Sequence, residues 1–181
     1  MIYDYLSIIV GMIKVFIFKM IYIKRICING VAKINHNFRF SLRKGTYISI
    51  GKHFKARNNL TIRNDKNGEV FIGDFVFLND NVSINCQKSV IIGDNVNIGH
   101  NVIIIDHDHD YKNDMHCFIR DSIEIGDNVW IGANAIILKG CKIPANSVVA
   151  AGTILKKDDT NNLETAKLIY NELNPKYKEV K

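Results

Sequence analysis

Five ionisable side chains fill five consecutive positions in Ile105-Asp106-His107-Asp108-His109-Asp110-Tyr111, and nowhere else does the chain pack imidazole and carboxylate so densely. Two chemistries fit. Imidazole and carboxylate are good ligands for zinc or manganese. A histidine whose second ring nitrogen is held by a carboxylate also has a fixed tautomer and raised basicity, which suits it to take a proton from a reacting group. A lone histidine would read as part of a polar surface loop. Five such residues beside a break in an otherwise regular pattern point to function.

That regular pattern is a six-residue ladder. Ile125, Ile131, Ile137, Ile143, Val149 and Leu155 follow one another at this spacing, with Val129, Ala135, Cys141, Ser147 and Thr153 four places after each of the first five. A period of six fits neither the helix repeat nor simple alternation, so it describes a unit larger than one element. Three hexads make one coil of a triangular prism, each a short strand and a corner with its aliphatic residue on the axis. The expected fold is all-β, a parallel β-solenoid. Upstream, Ile72, Leu78 and Ile84 keep the spacing, Ile92, Ile98 and Ile104 resume it after a two-residue slip, and Ile50, Ala56 and Ile62 give a first coil. Ile-Gly-Asp recurs at Ile72, Ile92 and Ile125, where glycine and Asn/Asp tolerate the positive φ of a sharp corner. An antiparallel sandwich would instead show period-two alternation and irregular turns. From Ile104 to Ile125 the chain runs 21 residues where a coil of three hexads needs 18, so the acidic and imidazole stretch leaves the frame as a loop.

At 181 residues the chain suits one domain with appendages. The expected division is an amphipathic helical segment over 1–30, the solenoid over 31–157 with its loop at 105–122, and a tail over 158–181. In that tail Leu163, Ala166, Ile169, Tyr170 and Leu173 have helical spacing, ended by Asn174-Pro175. Cys27, Cys86, Cys117 and Cys141 lack a metal-type spacing, and two lie in or near the ladder as small apolar filler. Asp4 stands where a secretory signal would be basic, so a cytoplasmic location is expected.

Charge is uneven. Residues 1–66 hold thirteen Lys/Arg against two Asp/Glu, and the remainder eleven against sixteen. Ile2 through Ile26 is almost wholly apolar but broken by Lys14, Lys19, Lys24 and Arg25, too early for a bilayer span. Two placements fit equally: residues 1–26 lie on the inner membrane face with lysines toward anionic headgroups, or they pack on a neighbouring subunit and cover the open end of the solenoid. No recognised module accompanies the basic stretch, so nucleic acid is not expected as a partner.

The ladder and the run Gly126-Asp127-Asn128-Val129-Trp130-Ile131-Gly132-Ala133 resemble the hexapeptide-repeat acyltransferases, in particular the branch of maltose and galactoside O-acetyltransferases and polysaccharide-locus enzymes, over residues 45–157. The resemblance implies a left-handed parallel β-helix, an exception to the usual crossover hand, and a homotrimer with sites between chains. It implies acetyl-CoA as donor, no metal, and as acceptor a saccharide hydroxyl of a bacterial surface polysaccharide or its precursor.

Several site residues carry over with the resemblance. The catalytic histidine of that branch lies sixteen residues after the glycine of the preceding Ile-Gly-Asp-Asn corner; counting from Gly93 gives His109, whereas His107 falls two short. Asn79, fourteen before Gly93, takes an acceptor-binding position. The acceptor side further includes Asp108, Trp130 and Gln87, although Cys86 and Gln87 stand where the galactoside enzyme has two acidic residues, which argues against a simple galactoside. The amide of Ala133 is the oxyanion donor. The pantetheine arm passes Ala133 and Ala151, and Lys156 and Lys157 meet the coenzyme phosphates or serve as solubilising charges. Where the branch has Gly-x-Pro-Ala-Lys, only Thr165-Ala166-Lys167 remains.

Other readings stay open. An N-acetyltransferase of an amino-sugar nucleotide uses the same scaffold. A γ-type carbonic anhydrase would use Gly99-His100 and a histidine five residues later, but that position is Ile105. A non-catalytic membrane-bound scaffold is the third.

Overall fold

The computed structural model of the chain describes residues 2–160 and 168–169. Three parallel sheets form the walls of a prism. The first holds strands Ile26–Ile28, Tyr47–Ile50, Glu69–Ile72, Ser89–Ile92, Ile123–Ile125 and Lys142–Ile143. The second holds Lys33–Ile34, Lys55–Ala56, Phe77–Leu78, Asn97–Ile98, Trp130–Ile131, Val148–Val149 and Leu168–Ile169. The third holds Phe38–Leu42, Leu60–Asn64, Ser83–Cys86, Ile103–Ile105, Ile136–Leu138 and Ile154–Leu155. Register stacks the ladder into columns. Ile28, Ile50, Ile72, Ile92, Ile125 and Ile143 form one, and Phe40, Ile62, Ile84, Ile104, Ile137 and Leu155 another, all of them buried.

The solenoid starts one coil earlier than expected. Ile28, Ile34 and Phe40 pair with Ile50, Ala56 and Ile62, so the latter are the second coil. Equivalent positions are 22 residues apart early in the chain, 20 across the two-residue slip, 33 across the loop and 18 in the last coil. Variable corners absorb these differences and the strands keep their register. The carboxylates of Asp74, Asp94 and Asp127 accept the amides of Lys52, Asp74 and Asp94 one coil away, at 2.6, 2.7 and 2.8 Å. Asn81, Asn101 and Asn134, with φ of 62°, 58° and 60°, take the left-handed corner that few side chains other than glycine tolerate.

In the tail, the expected positions Leu163, Ala166, Tyr170 and Leu173 lie outside the described residues. Helix occurs earlier, as α2 at Lys157–Thr160. Leu168–Ile169 is not helical but a strand on Val148–Val149, because the last coil presents unpaired backbone groups that an extended segment satisfies.

Helix α1, Ile2–Ile21, lies across the opposite end. Gly11 and Val15 face the first coil, and Phe18 packs on Phe38 and Phe40, both at 5.9 Å between ring centres. Lys14 and Lys19 turn toward the first coil: Lys14 Nζ donates to the carbonyl of His36 at 2.9 Å and Lys19 Nζ to that of Ile28 at 3.1 Å. They satisfy acceptors that the first strands have no earlier coil to pair with. The helix therefore covers the open end of its own solenoid, and among the described residues no helix is long and apolar enough to cross a membrane.

Gly11 allows this contact, since a Cβ there would stand 1.7 Å from the Ile34 carbonyl oxygen. Propensity alone makes Gly→Ala in a helix stabilising by about 1 kcal/mol. Gly11→Ala is expected to reverse that sign, lowering stability in urea unfolding and speeding tryptic cleavage after Lys14 and Lys19. An unchanged or raised stability would show that α1 does not dock at this distance.

Candidate functional site

The expected loop is a hairpin of strands His107–Asp110 and Asp114–Arg120, antiparallel and bulged between His109 and Asp110. It leaves the prism at the corner between the third and first sheets. One buried carboxylate fixes it there. Asp106, fully buried, accepts the amides of Gln87, Lys88 and Ser89 at 2.8, 2.7 and 2.9 Å, the Cys86 thiol at 3.3 Å and His107 Nδ1 at 2.9 Å. Burial alone would raise its pKa, but the bond from His107, then those from Gln87, Lys88 and Cys86, outweigh it and hold the carboxyl below its ordinary range. On the returning arm, Arg120 Nε donates to Gln87 Oε1 at 2.9 Å. Asp121 follows, held down to about 2 by Lys157 at 2.7 Å and Lys88 at 3.1 Å.

The two histidines are therefore unlike. His107 is the one paired with a carboxylate, and its side chain is only 14% exposed. His109 is exposed, and its orienting partner is a carbonyl rather than an acid: Nδ1 lies 2.7 Å from the oxygen of Met115. A carbonyl only accepts, so Nδ1 carries the proton and, in the neutral ring, Nε2 is left as a base. The ring also packs on Phe118 at 4.4 Å, and its backbone amide is held by Asp108 Oδ1 at 2.8 Å. Asp108 in turn pairs with Lys139 at 3.6 Å.

Other expected site residues fall into two groups. Asn79 and Trp130 meet in a shallow depression of about 470 Å³ on the second sheet, with Phe77, Asn97, Ile98 and Gly99. Trp130 points outward, 59% exposed. Ala133 and Ala151 stack one coil apart at the corner between the second and third sheets, where a Cβ on Gly132 would come within 2.5 Å of the Ala151 nitrogen. The amides of Gly132 and Asn134 are taken by Val149 and His100, while that of Ala133 has no backbone acceptor among the described residues.

Three expected residues have different surroundings from those anticipated. Gln87, with its neighbour Cys86, is buried and pins the hairpin. Lys156 and Lys157 follow the third sheet, so the sheet's width separates them from the Ala133 corner, and Lys157 is engaged by Asp121. The Gly99-His100 pair does not assemble a zinc set. His100 Nδ1 faces Asp80 at 3.6 Å, and no three His, Cys, Asp or Glu among the described residues converge to hold a metal. The residue that sequence reasoning missed is Asp106 as the anchor, since its amide partners come from a different coil.

Two family models match. Residues 122–157 match "Bacterial transferase hexapeptide (six repeats)" and residues 89–105 match "Hexapeptide repeat of succinyl-transferase". Over these two stretches the chain is similar to the hexapeptide-repeat transferases. A comparison with curated proteins finds no match. Among solved structures, the N-acyltransferase AntD from Bacillus cereus, a mutant in complex with dTDP and coenzyme A, is similar with TM-score 0.69 at 18% identity, over 85% of this chain and 82% of that one. A hexapeptide-repeat acetyltransferase of Vibrio cholerae O1 biovar eltor, complexed with acetyl coenzyme A, is 27% identical with TM-score 0.47, over 72% of this chain and 60% of that one. The AntD likeness speaks for the fold.

Asp106→Asn keeps the shape of the anchor but turns an amide N–H toward backbone donors. A loss of about 2–4 kcal/mol is expected in urea unfolding at pH 7. Because the folded carboxyl titrates below its unfolded value of about 3.9, its contribution is present above that pH and lost as pH falls through the lower folded value. The Asn variant should show a flatter acid limb than wild type; identical limbs would remove Asp106 as the anchor.

Proposed function

We propose that this protein is an acyl-CoA-dependent O-acetyltransferase, moving an acetyl group from acetyl-CoA to a hydroxyl of a sugar in a bacterial surface polysaccharide or its precursor. The observation that carries the reading is the 2.7 Å contact of His109 Nδ1 with the Met115 carbonyl, which leaves Nε2 as base on an anchored hairpin. A sugar hydroxyl is a poor nucleophile until its proton is taken during attack. His109 Nε2 receives that proton as the hydroxyl oxygen bonds to the thioester carbonyl carbon. The resulting oxyanion is stabilised by a fixed donor, for which the Ala133 amide is suited. Collapse reforms the carbonyl and breaks the carbon–sulfur bond, and the leaving thiolate recovers the proton from the imidazolium. The donor is carried over from proteins of this fold that bind coenzyme A or acetyl coenzyme A.

Topology supports a shared site. The hairpin leaves one corner of the prism and Ala133 with Ala151 occupies another, and among the described residues no hydrogen bond or ring contact joins them. A trimer, with His109 of one copy facing the Ala133 corner of the next, supplies both.

His109→Ala is expected to lower kcat about 10²- to 10⁴-fold with little change in coenzyme affinity, and His107→Ala to cost much less. The reverse order would overturn the assignment of the base. Mass-shift screening with acetyl-CoA against free sugars, nucleotide sugars, amino-sugar nucleotides and purified polysaccharides identifies the acceptor; acetylation confined to amines would replace the O-acetyl reading. Sedimentation equilibrium should give three times the 20.6 kDa chain mass. A stable, active monomer would reject the shared site.

A further inference from the structure

The outer face of α1 is an exposed apolar surface. Leu6, Ile9, Ile13, Phe16, Ile17 and Met20 are each between 49% and 65% exposed. Such a face marks an interaction surface rather than ordinary scatter. The inner face already meets the first coil through Gly11, Val15 and Phe18, so the outer one is not needed to hold the helix in place.

The rim of this face is predominantly basic, with Asp65 as the carboxylate that meets it. Between Asp4 and Asp65 the sequence contains no acidic residue. Lys24, Lys33, Arg39, Arg43 and Lys44 lie in or beside the first coil, immediately next to α1. A cavity of about 570 Å³ at the end of the helix has three arginines, Arg39, Arg43 and Arg63, and one acid, Asp65, in its lining. Arg43 pairs with Asp65 at 3.4 Å, and among the described residues no carboxylate pairs with Arg39 or Arg63.

We infer that the α1 end of the prism is a docking surface for an anionic lipid bilayer, with the outer face of α1 in the headgroup and acyl boundary and the arginines of the first two coils over lipid phosphates. A helix lying in that plane sinks about 5–10 Å. Neighbouring coils are about 4.8 Å apart, so Arg39 and Arg63 remain within a Debye length of about 8–10 Å of the charged surface. Charge decides against the other occupant. A second copy docked through the same face would bring two net-basic rims together, whereas an anionic bilayer complements both the apolar face and its rim. The inward bonds of Lys14 and Lys19 keep α1 on the prism, so the solenoid axis stands across the membrane plane and the His109 hairpin is held several coils above it. This inference does not depend on the reaction proposed above.

The test uses the full chain and flotation with vesicles of phosphatidylcholine, with and without phosphatidylglycerol, at low and high salt. Flotation on the anionic vesicles at low salt, weakened by salt, is expected. Arg39→Gln with Arg63→Gln should lower affinity for anionic vesicles about 25-fold, at roughly fivefold per arginine. Ile13→Asp with Phe16→Asp should abolish flotation with no loss of melting temperature, because these side chains face away from the solenoid. Failure of the intact chain to float at low salt overturns the proposal. So does a fall in sedimentation mass in the Ile13 and Phe16 variant, which would show that a second copy covers the face.

Discussion

A coil of this solenoid cannot be stable by itself. Its strands are two to five residues long, and each shows one alternate face to the axis, so the aliphatic residue of a hexad is buried only when another coil lies above or below it. Stacking identical positions is therefore the constraint from which the rest follows. It requires hydrogen bonds in register between coils, small corner residues, and corners that reproduce the same direction even when chain length changes. The Asp74, Asp94 and Asp127 carboxylates meet the last condition, each fixing an amide in the adjoining coil at 2.6 to 2.8 Å. They allow successive coils of different length to present the same column of isoleucines.

The same constraint explains why the hairpin can be placed accurately. An insertion between Ile105 and Ile123 would be free to move if only its two ends were held. Asp106 ties it instead to three consecutive amides from a neighbouring coil, and Arg120 ties the returning arm to Gln87. A buried carboxylate without these donors would be costly, so the anchor is strong only because Gln87 to Ser89 turn their N–H groups toward it. His109, three residues beyond Asp106, inherits the rigidity of the frame, and the Met115 carbonyl completes it by choosing the tautomer.

Much of the solenoid could be read from the sequence because its columns repeat at a period no other element has. Ile125 to Leu155 reads without a gap. The coil of Ile28, Ile34 and Phe40 has the same spacing, but an aromatic residue in the third place and an apolar helix just before it conceal the repeat. That the run Asp106 to Tyr111 leaves the coil was legible from the count between Ile104 and Ile125. Asp106 was not, because in sequence it looks like any of three aspartates in the run, and only stacking shows that it alone turns inward toward Gln87, Lys88 and Ser89. The partners of Gln87 and Lys157 were hidden for the same reason: Arg120 and Asp121 are 33 and 36 residues distant.

A prism with three nearly flat walls has no deep cleft, and this limits how it can enclose a substrate. The depression at Asn79 and Trp130 is shallow and lies on the second sheet, while the hairpin rises from the corner between the third and the first. Excluding water from a reacting thioester requires a second wall. In the proposed trimer that wall is the neighbouring chain, and the hairpin projects from the prism toward it. On that proposal the exposure of His109 in a single chain is a consequence of the architecture, because a base placed to complete another chain's site stands clear of its own.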